Sequence, residues 1–324
     1  MEHEGNDTNA VDDFHIEFSM FETVLHRLDL FVLIPLGILG NILIIIILMQ
    51  KKNRQYASSM IFTSLAVSDT IILVHGIYLY TSSPEKPTSV ECKLSAYFGF
   101  TSAQASSMLL AVVASERVLA VTMPHKVKSV FSVKNVRWLI IFIASFLCIM
   151  NVCILLSYDI NLMTTGVFAG CDPVGQLLYF MSAIYPWIDF CFAFALPFVI
   201  IMFSSIVIIA RISGNARSRR NDKIHSVTRT LLAANIAFLF TTCPFGIYQI
   251  FYPTPPSDDT KYLLYSGLIT LSQANASLNF FLYFLSGPKF RADFKEFFKC
   301  CIPRQASGTQ NSRSIWKLSS ATTK

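Results

Sequence analysis

The chain has 324 residues and a formal net charge of +6; 53% of it is hydrophobic and only 14% is charged. Soluble domains carry about 25% charged residues, so a string of soluble domains is excluded. The basic excess gathers between long apolar runs, and nothing in its placement supports a nucleic-acid partner.

The first 25 residues are polar and acidic, with Asn6-Asp7-Thr8 forming a glycosylation sequon. They lack the basic start and short apolar core of a cleavable signal peptide, so the first apolar run is expected to act as the insertion signal. That run, Leu30 to Gln50, has no charged residue. Further runs follow at roughly 57–81, 94–122, 138–158, 174–211, 230–252 and 262–286. About 20 such residues cross the hydrocarbon core as a helix, so seven spanning helices are predicted. The alternation of a β-barrel strand is absent. Two of these runs are interrupted by one acid each, Asp69 and Asp189, and the third run ends on Glu116-Arg117.

Lysine and arginine set the orientation. Twenty-two of the 26 fall on one side: the stretches around 51–54, 126–137 and 211–229, the tail from Lys289, and Arg117. Only Arg27, Lys86, Lys93 and Lys261 fall on the other. A multi-pass plasma-membrane protein is therefore expected, with its N-terminus outside and its C-terminus cytoplasmic. Cys92 and Cys171 lie in outer regions, where disulfides persist. Cys300 and Cys301 follow the last span on the inner side, where palmitoylation is expected. Residues 289–299 read as an amphipathic helix on the inner leaflet, because Phe290, Phe294, Phe297 and Phe298 share one face. The expected layout is an N-terminal tail over 1–27, a seven-span unit over 28–286, the amphipathic and palmitoylation region over 287–301, and a cytoplasmic tail over 302–324.

Two groups of polar residues stand out within the spans. Asp69, Ser106, Asn275, Asn279 and Asn41 lie at similar depth on four helices. They read either as a polar network tying helices together or as oxygen ligands for a hard cation. Glu116 and Arg117 come a full membrane crossing below Cys92, at about 1.5 Å per residue. They read as an interfacial snorkelling pair or as a working one.

The motifs together resemble rhodopsin-like (class A) G-protein-coupled receptors over nearly the whole chain. They are Gly40-Asn41, LAVSD ending in Asp69, Cys92, Ser106, ERV at 116–118, Trp138, Cys171, Pro197, FLFTTCP at 238–244, NFFLY at 279–283 and GPKFRADF after it. The likeness is greatest to invertebrate neuropeptide receptors. It implies an all-α membrane protein, a seven-transmembrane helix bundle with a short amphipathic eighth helix. It also implies a Cys92–Cys171 disulfide and a sodium pocket at Asp69, Ser106, Asn275 and Asn279, with sodium an allosteric ion rather than a cofactor. Glu116, Arg117, Asn279 and Tyr283 would form the coupling switch, with Arg117 paired to Glu116 at rest and Phe238 packing beneath the ligand. The implied partners are an extracellular ligand, a heterotrimeric G protein, arrestin, a receptor kinase and membrane lipids. The chain departs from the family's pattern at Val118, His125, Ser205, Thr242 and Phe280.

Gly99 stands seven residues after Cys92, where amine receptors carry Asp, and Gln273 stands where opsins carry the retinal lysine. A biogenic amine and retinal are thereby disfavoured, leaving a neuropeptide first and a chemosensory small molecule second. The acidic outer face, including Glu17, Glu22 and Asp29, would draw a cationic peptide. Gln104, Trp187, Asp189, Tyr248, Gln249 and Gln273 are the expected pocket residues, with Asp189 either meeting a ligand cation or facing the loop. A transporter or channel would need repeats and more deep charges. An intramembrane enzyme would need facing acids or a Ser/His pair, so no enzyme is expected.

Overall fold

The computed structural model describes residues 20, 21, 23–81, 88–162, 168–214, 222–251, 259–286 and 288–301. In chain order α1 is Thr23–Leu48, α2 Ala57–Thr81, α3 Ser89–Thr122, the short α4 Pro124–Val130, and α5 Val133–Ser157. A hairpin of β1, Tyr158–Leu162, and β2, Phe168–Pro173, comes next. Then follow α6 Gly175–Arg211, α7 Asp222–Phe251, α8 Asp259–Ser286 and α9 Pro288–Cys301. Five of these helices, α1, α2, α3, α5 and α6, are long and apolar enough to cross a membrane, and α7 carries the apolar stretch Ile236–Phe251.

The helices form a closed ring in which α8 packs back on α1 and α2, with α3 running through the middle against α2, α5 and α6. The polarity of a soluble bundle is inverted. Large apolar residues such as Phe142, Ile149, Val199 and Phe203 point outward, while Asn41, Asp69, Gln104 and Asn279 are buried. Such helices suit a lipid solvent, because every backbone group is satisfied within its own helix. The central apolar core joins Ile61 and Leu65 of α2, Leu109 and Val113 of α3, Phe194 and Ile201 of α6 and Phe238 of α7.

Local sequence explains the interruptions. Asp29–Leu33, Phe180–Ile184 and Phe190–Ala195 are π-helical turns, and each stands just before a proline: Pro35, Pro186 and Pro197. Proline has no N–H to offer and its ring crowds the preceding turn, so a widened turn relieves the clash. Asn151 breaks α5 into Val133–Met150 and Val152–Ser157. A capping box starts α3: the Glu91 N–H donates to Thr88 Oγ1 at 3.2 Å, and the Thr88 N–H donates to Glu91 Oε2 at 2.9 Å.

The expected disulfide is present. Cys92 is bonded to Cys171, with Cα atoms 5.6 Å apart. It ties the hairpin to the top of α3, and Lys93 adds a 3.3 Å ion pair to Asp159. The hairpin is antiparallel, with Ile160 opposite Cys171 and a bulge between Asn161 and Leu162.

At the other end, α9 lies against α1 and α8. Asn53 donates to Asp293 Oδ2 at 3.0 Å and Lys52 pairs with Asp293 at 3.0 Å. Phe280 of α8 sits among Phe284, Phe290 and Phe294 with ring centroids about 6 Å apart. The amphipathic helix is thus held by both a polar clamp and an aromatic one. Asn6 lies outside the described residues, as do the side chains of Tyr283, Cys300 and Cys301.

Candidate functional site

Three levels of the bundle carry polar residues with unusual surroundings. The uppermost is a cavity of 280 Å³ under the hairpin, walled by α2, α3, α6, α7 and α8. Of the six expected pocket residues, Asp189, Gln249 and Gln273 line it. Gln104 is fully buried one layer behind and donates to Asp189 Oδ1 at 2.7 Å. Tyr248 is also outside the lining but packs on Tyr265, which lines it, with centroids 6.0 Å apart.

Trp187 does not belong to this cavity. It is 55% exposed and borders a separate outward-facing depression with Ile184 and Phe192. Depth alone pointed to this residue, but in the α-helical turn Tyr185–Asp189 the buried Tyr185 and Asp189 share one face and Trp187, about 200° from Asp189, falls on the opposite one. Asp189, two residues on, faces inward to the cavity rather than to the loop.

Two residues, His75 in the wall and Asn151 behind it, were missed in the sequence. His75 lies against Gly99, where an added Cβ would come 2.6 Å from the imidazole. A side chain at position 99 would therefore require the His75 ring to move. Asn151 was also missed: its amide donates to Thr101 Oγ1 at 3.0 Å and to Gln104 Oε1 at 2.8 Å, and it accepts from the Tyr185 hydroxyl at 2.7 Å. An asparagine inside an apolar run was the available signal.

Asp29 is a correction of a different kind. Counted among the acids of the outer face, it is instead 0% exposed within α1. With its nitrogen turned inward, the Gln273 amide donates to Asp29 Oδ2 at 2.6 Å. The widened turn before Pro35 begins at this residue.

The middle level is centred on Asp69. Ser106 donates to its Oδ1 at 2.6 Å, and Asn279 donates to its Oδ2. The other two members of the expected group do not bond to the carboxylate. Asn41 donates to the Ala276 carbonyl at 3.1 Å, and Asn275 lines the outer cavity. The two levels communicate, because Ser106, Ser107 and Asn275 all lie in the cavity wall. Thr242 shares that wall in place of the family's tryptophan, and its buried hydroxyl has no hydrogen-bond partner among the described residues. Phe238, one turn below, is fully buried and stacks on Phe194 at 6.4 Å.

At the lowest level Glu116 and Arg117 do not form an ion pair among the described residues. Neighbouring residues on a helix point about 100° apart and do not face each other. Glu116 turns to α2, where the Ser58 hydroxyl donates to its Oε1 at 2.5 Å. Its Oε2 and the Arg117 Nε are buried with no hydrogen-bond partner among the described residues.

A family model described as "7 transmembrane receptor (rhodopsin family)" matches residues 40–283. The chain is 24% identical over 310 residues to the thyrotropin-releasing hormone receptor of Gallus gallus, covering 83% of this chain and 77% of that receptor. It is 25% identical over 281 residues to melanin-concentrating hormone receptor 1 of Sus scrofa, covering 79% and 76%. A neuromedin U receptor homolog of Caenorhabditis elegans is 25% identical over 289 residues, covering 78% and 69%.

Proposed function

The chain belongs to the rhodopsin family of seven-transmembrane receptors, and from that premise we propose that it binds an extracellular neuropeptide and activates a heterotrimeric G protein. The observation that carries this reading is the cavity under a disulfide-pinned hairpin, mostly apolar with a few polar groups such as Asp189, Gln249 and Gln273 in its wall, in a chain whose relatives are named for hormones and for neuromedin U. The receptor sits in the plasma membrane with its N-terminus outside and its C-terminus in the cytoplasm, as the lysine and arginine distribution supports.

Activation is an equilibrium between a closed and an open inner end. An agonist shifts it only by binding the open state better. Glu116, Arg117, Asn279 and Tyr283 act as the coupling group, with Glu116 held on Ser58 at rest and Arg117 the group that meets the G protein. The polar centre supports a sodium reading: carboxylate, hydroxyl and amide oxygens suit a hard cation. Asp69, Ser106, Asn275 and Asn279 would hold the ion, although both Asp69 oxygens already accept protein hydrogen bonds. A bound sodium ion would neutralise Asp69 and favour the closed bundle. Asn6 glycosylation, palmitoylation at Cys300 and Cys301, and arrestin and receptor-kinase action on the tail complete the reading.

The test is a screen of amidated neuropeptides on cells expressing the chain, read by G-protein dissociation. A saturable response to one peptide is expected, and Arg117→Ala should abolish it while leaving surface expression near wild type. A response confined to volatile or other small molecules would favour the chemosensory alternative. A ligand-dependent current or uptake without G protein would favour a channel or transporter. With an agonist in hand, Asp69→Asn should remove the dependence of its affinity on sodium; an unchanged dependence would contradict the sodium assignment.

A further inference from the structure

The described wall of the outer cavity holds two carboxylates, Asp172 and Asp189, and no lysine or arginine. Asp189 is the deeper in the bundle and only 7% exposed. Its Oδ1 accepts the Gln104 amide, and its second oxygen has no hydrogen-bond partner among the described residues.

The carboxylate is positioned from behind by a directed series of hydrogen bonds. The Tyr185 hydroxyl donates to Asn151 Oδ1, Asn151 Nδ2 donates to Gln104 Oε1, and Gln104 Nε2 donates to Asp189. Every donor in the series points toward the acid. Reversing the Gln104 amide would set its oxygen against the carboxylate and its N–H against the Asn151 N–H, so the orientation is enforced. Such a fully connected network fixes one geometry. The effort is spent on a group that meets no cation of the protein: no ion pair of Asp189 occurs among the described residues. A buried charge without a partner is costly, and a partner that arrives with opposite charge gains most there.

We propose that Asp189 is the cation anchor of the ligand site, taking a guanidinium or ammonium group of the peptide on its free oxygen, beside the aromatic rings of Phe190 and Tyr265 that share the wall. This rests on reading the cavity as the ligand site, and it narrows the ligand to one carrying a positive charge at the end that enters the bundle.

The test uses the purified full-length receptor in detergent micelles and three probes of similar shape: L-argininamide, L-lysinamide and L-citrullinamide with its α-amine acetylated in all three. The thermal unfolding midpoint is followed against probe concentration. At least one cationic probe should raise the midpoint saturably and the neutral citrulline probe should not; the order of the two cations distinguishes guanidinium from ammonium. Asp189→Asn keeps the shape and can still accept from Gln104, and it should weaken the cationic probe roughly 30-fold, as loss of one member of a buried charge pair does. Asp189→Glu should recover part of that loss. Equal stabilisation by the neutral probe, equal binding in Asp189→Asn, or no stabilisation by either cation would overturn the proposal. The probe comparison on the unmodified receptor stands even if the variant fails to fold. No G protein enters the measurement, so its failure and a failure to signal are separate outcomes.

Discussion

Ser58 and Thr242 are single residues whose surroundings make definite demands. The Ser58 hydroxyl donates the hydrogen bond that holds Glu116 against α2. A hydrogen bond to a charged group contributes about 1.5–3 kcal/mol net. Ser58→Ala should therefore raise agonist-free G-protein activation, measured in cells at matched surface expression; unchanged or lowered basal activity would sink this latch. Thr242 leaves open the floor that a tryptophan would fill. Thr242→Trp should lower agonist affinity by about 1–3 kcal/mol through overpacking, measured by radioligand displacement, and affinity equal to wild type would show that the ligand stays above this level. At this scale the sequence was informative where a charge or amide interrupts an apolar run. Asp69, Ser106 and Asn279 meet as expected, and Asp189 faces the cavity. The Glu116–Arg117 pair failed because adjacency along a helix is separation across it. Asp29 was misjudged because its position near the start of the first run looked like the membrane edge, whereas α1 begins earlier, at Thr23.

The elements show where turn chemistry and capping interrupt the helices. Three π turns precede three prolines, and between the two in α6 the α-helical turn Tyr185–Asp189 keeps Asp189 inward and Trp187 outward. A proline is visible in the sequence, but the turn that absorbs it is not. The β1–β2 hairpin was equally illegible: its strands are five and six residues long and include Gly170 and Pro173. Its anchoring does have a readable pH dependence. Asp159 is held below the usual carboxylate range by hydrogen bonds from Ser89 and the Ile160 N–H and by Lys93. A carboxyl with a depressed folded value stabilises the folded form above its ordinary pKa and loses that contribution as pH falls through the depressed value. The hairpin tie should thus survive mild acid. A titration of Asp159 followed by carboxyl-carbon NMR should give a midpoint below about 3.9; a midpoint at or above that would contradict the tie. At the inner end, Asn53 and Lys52 hold Asp293, and Asp293→Ala should loosen α9 first. Hydrogen exchange over 288–301 should rise while exchange in α3 stays the same; unchanged protection of α9 would show the aromatic contacts at Phe280 suffice.

The described helices form a ring around an axis with polar groups at three levels, Asp189, Asp69 and Glu116 with Arg117, and an apolar core between the lower two. Its spans were legible because lipid imposes a length of about 20 apolar residues that soluble folding does not. Its axis was only partly legible, since which polar group meets which depends on helix rotation. The departures at Thr242 and Phe280 acquire physical meaning only in three dimensions, as an open cavity floor and as the hub of the α8–α9 aromatic contacts. The most direct measurement is antibody labelling of distinct epitope tags at the two ends of the full chain. An N-terminal tag reached on intact cells, with a C-terminal tag reached only after permeabilisation, is the predicted result. Both tags labelled on intact cells, or neither, would contradict an odd number of crossings and with it the proposed path from the outer cavity to Glu116 and Arg117.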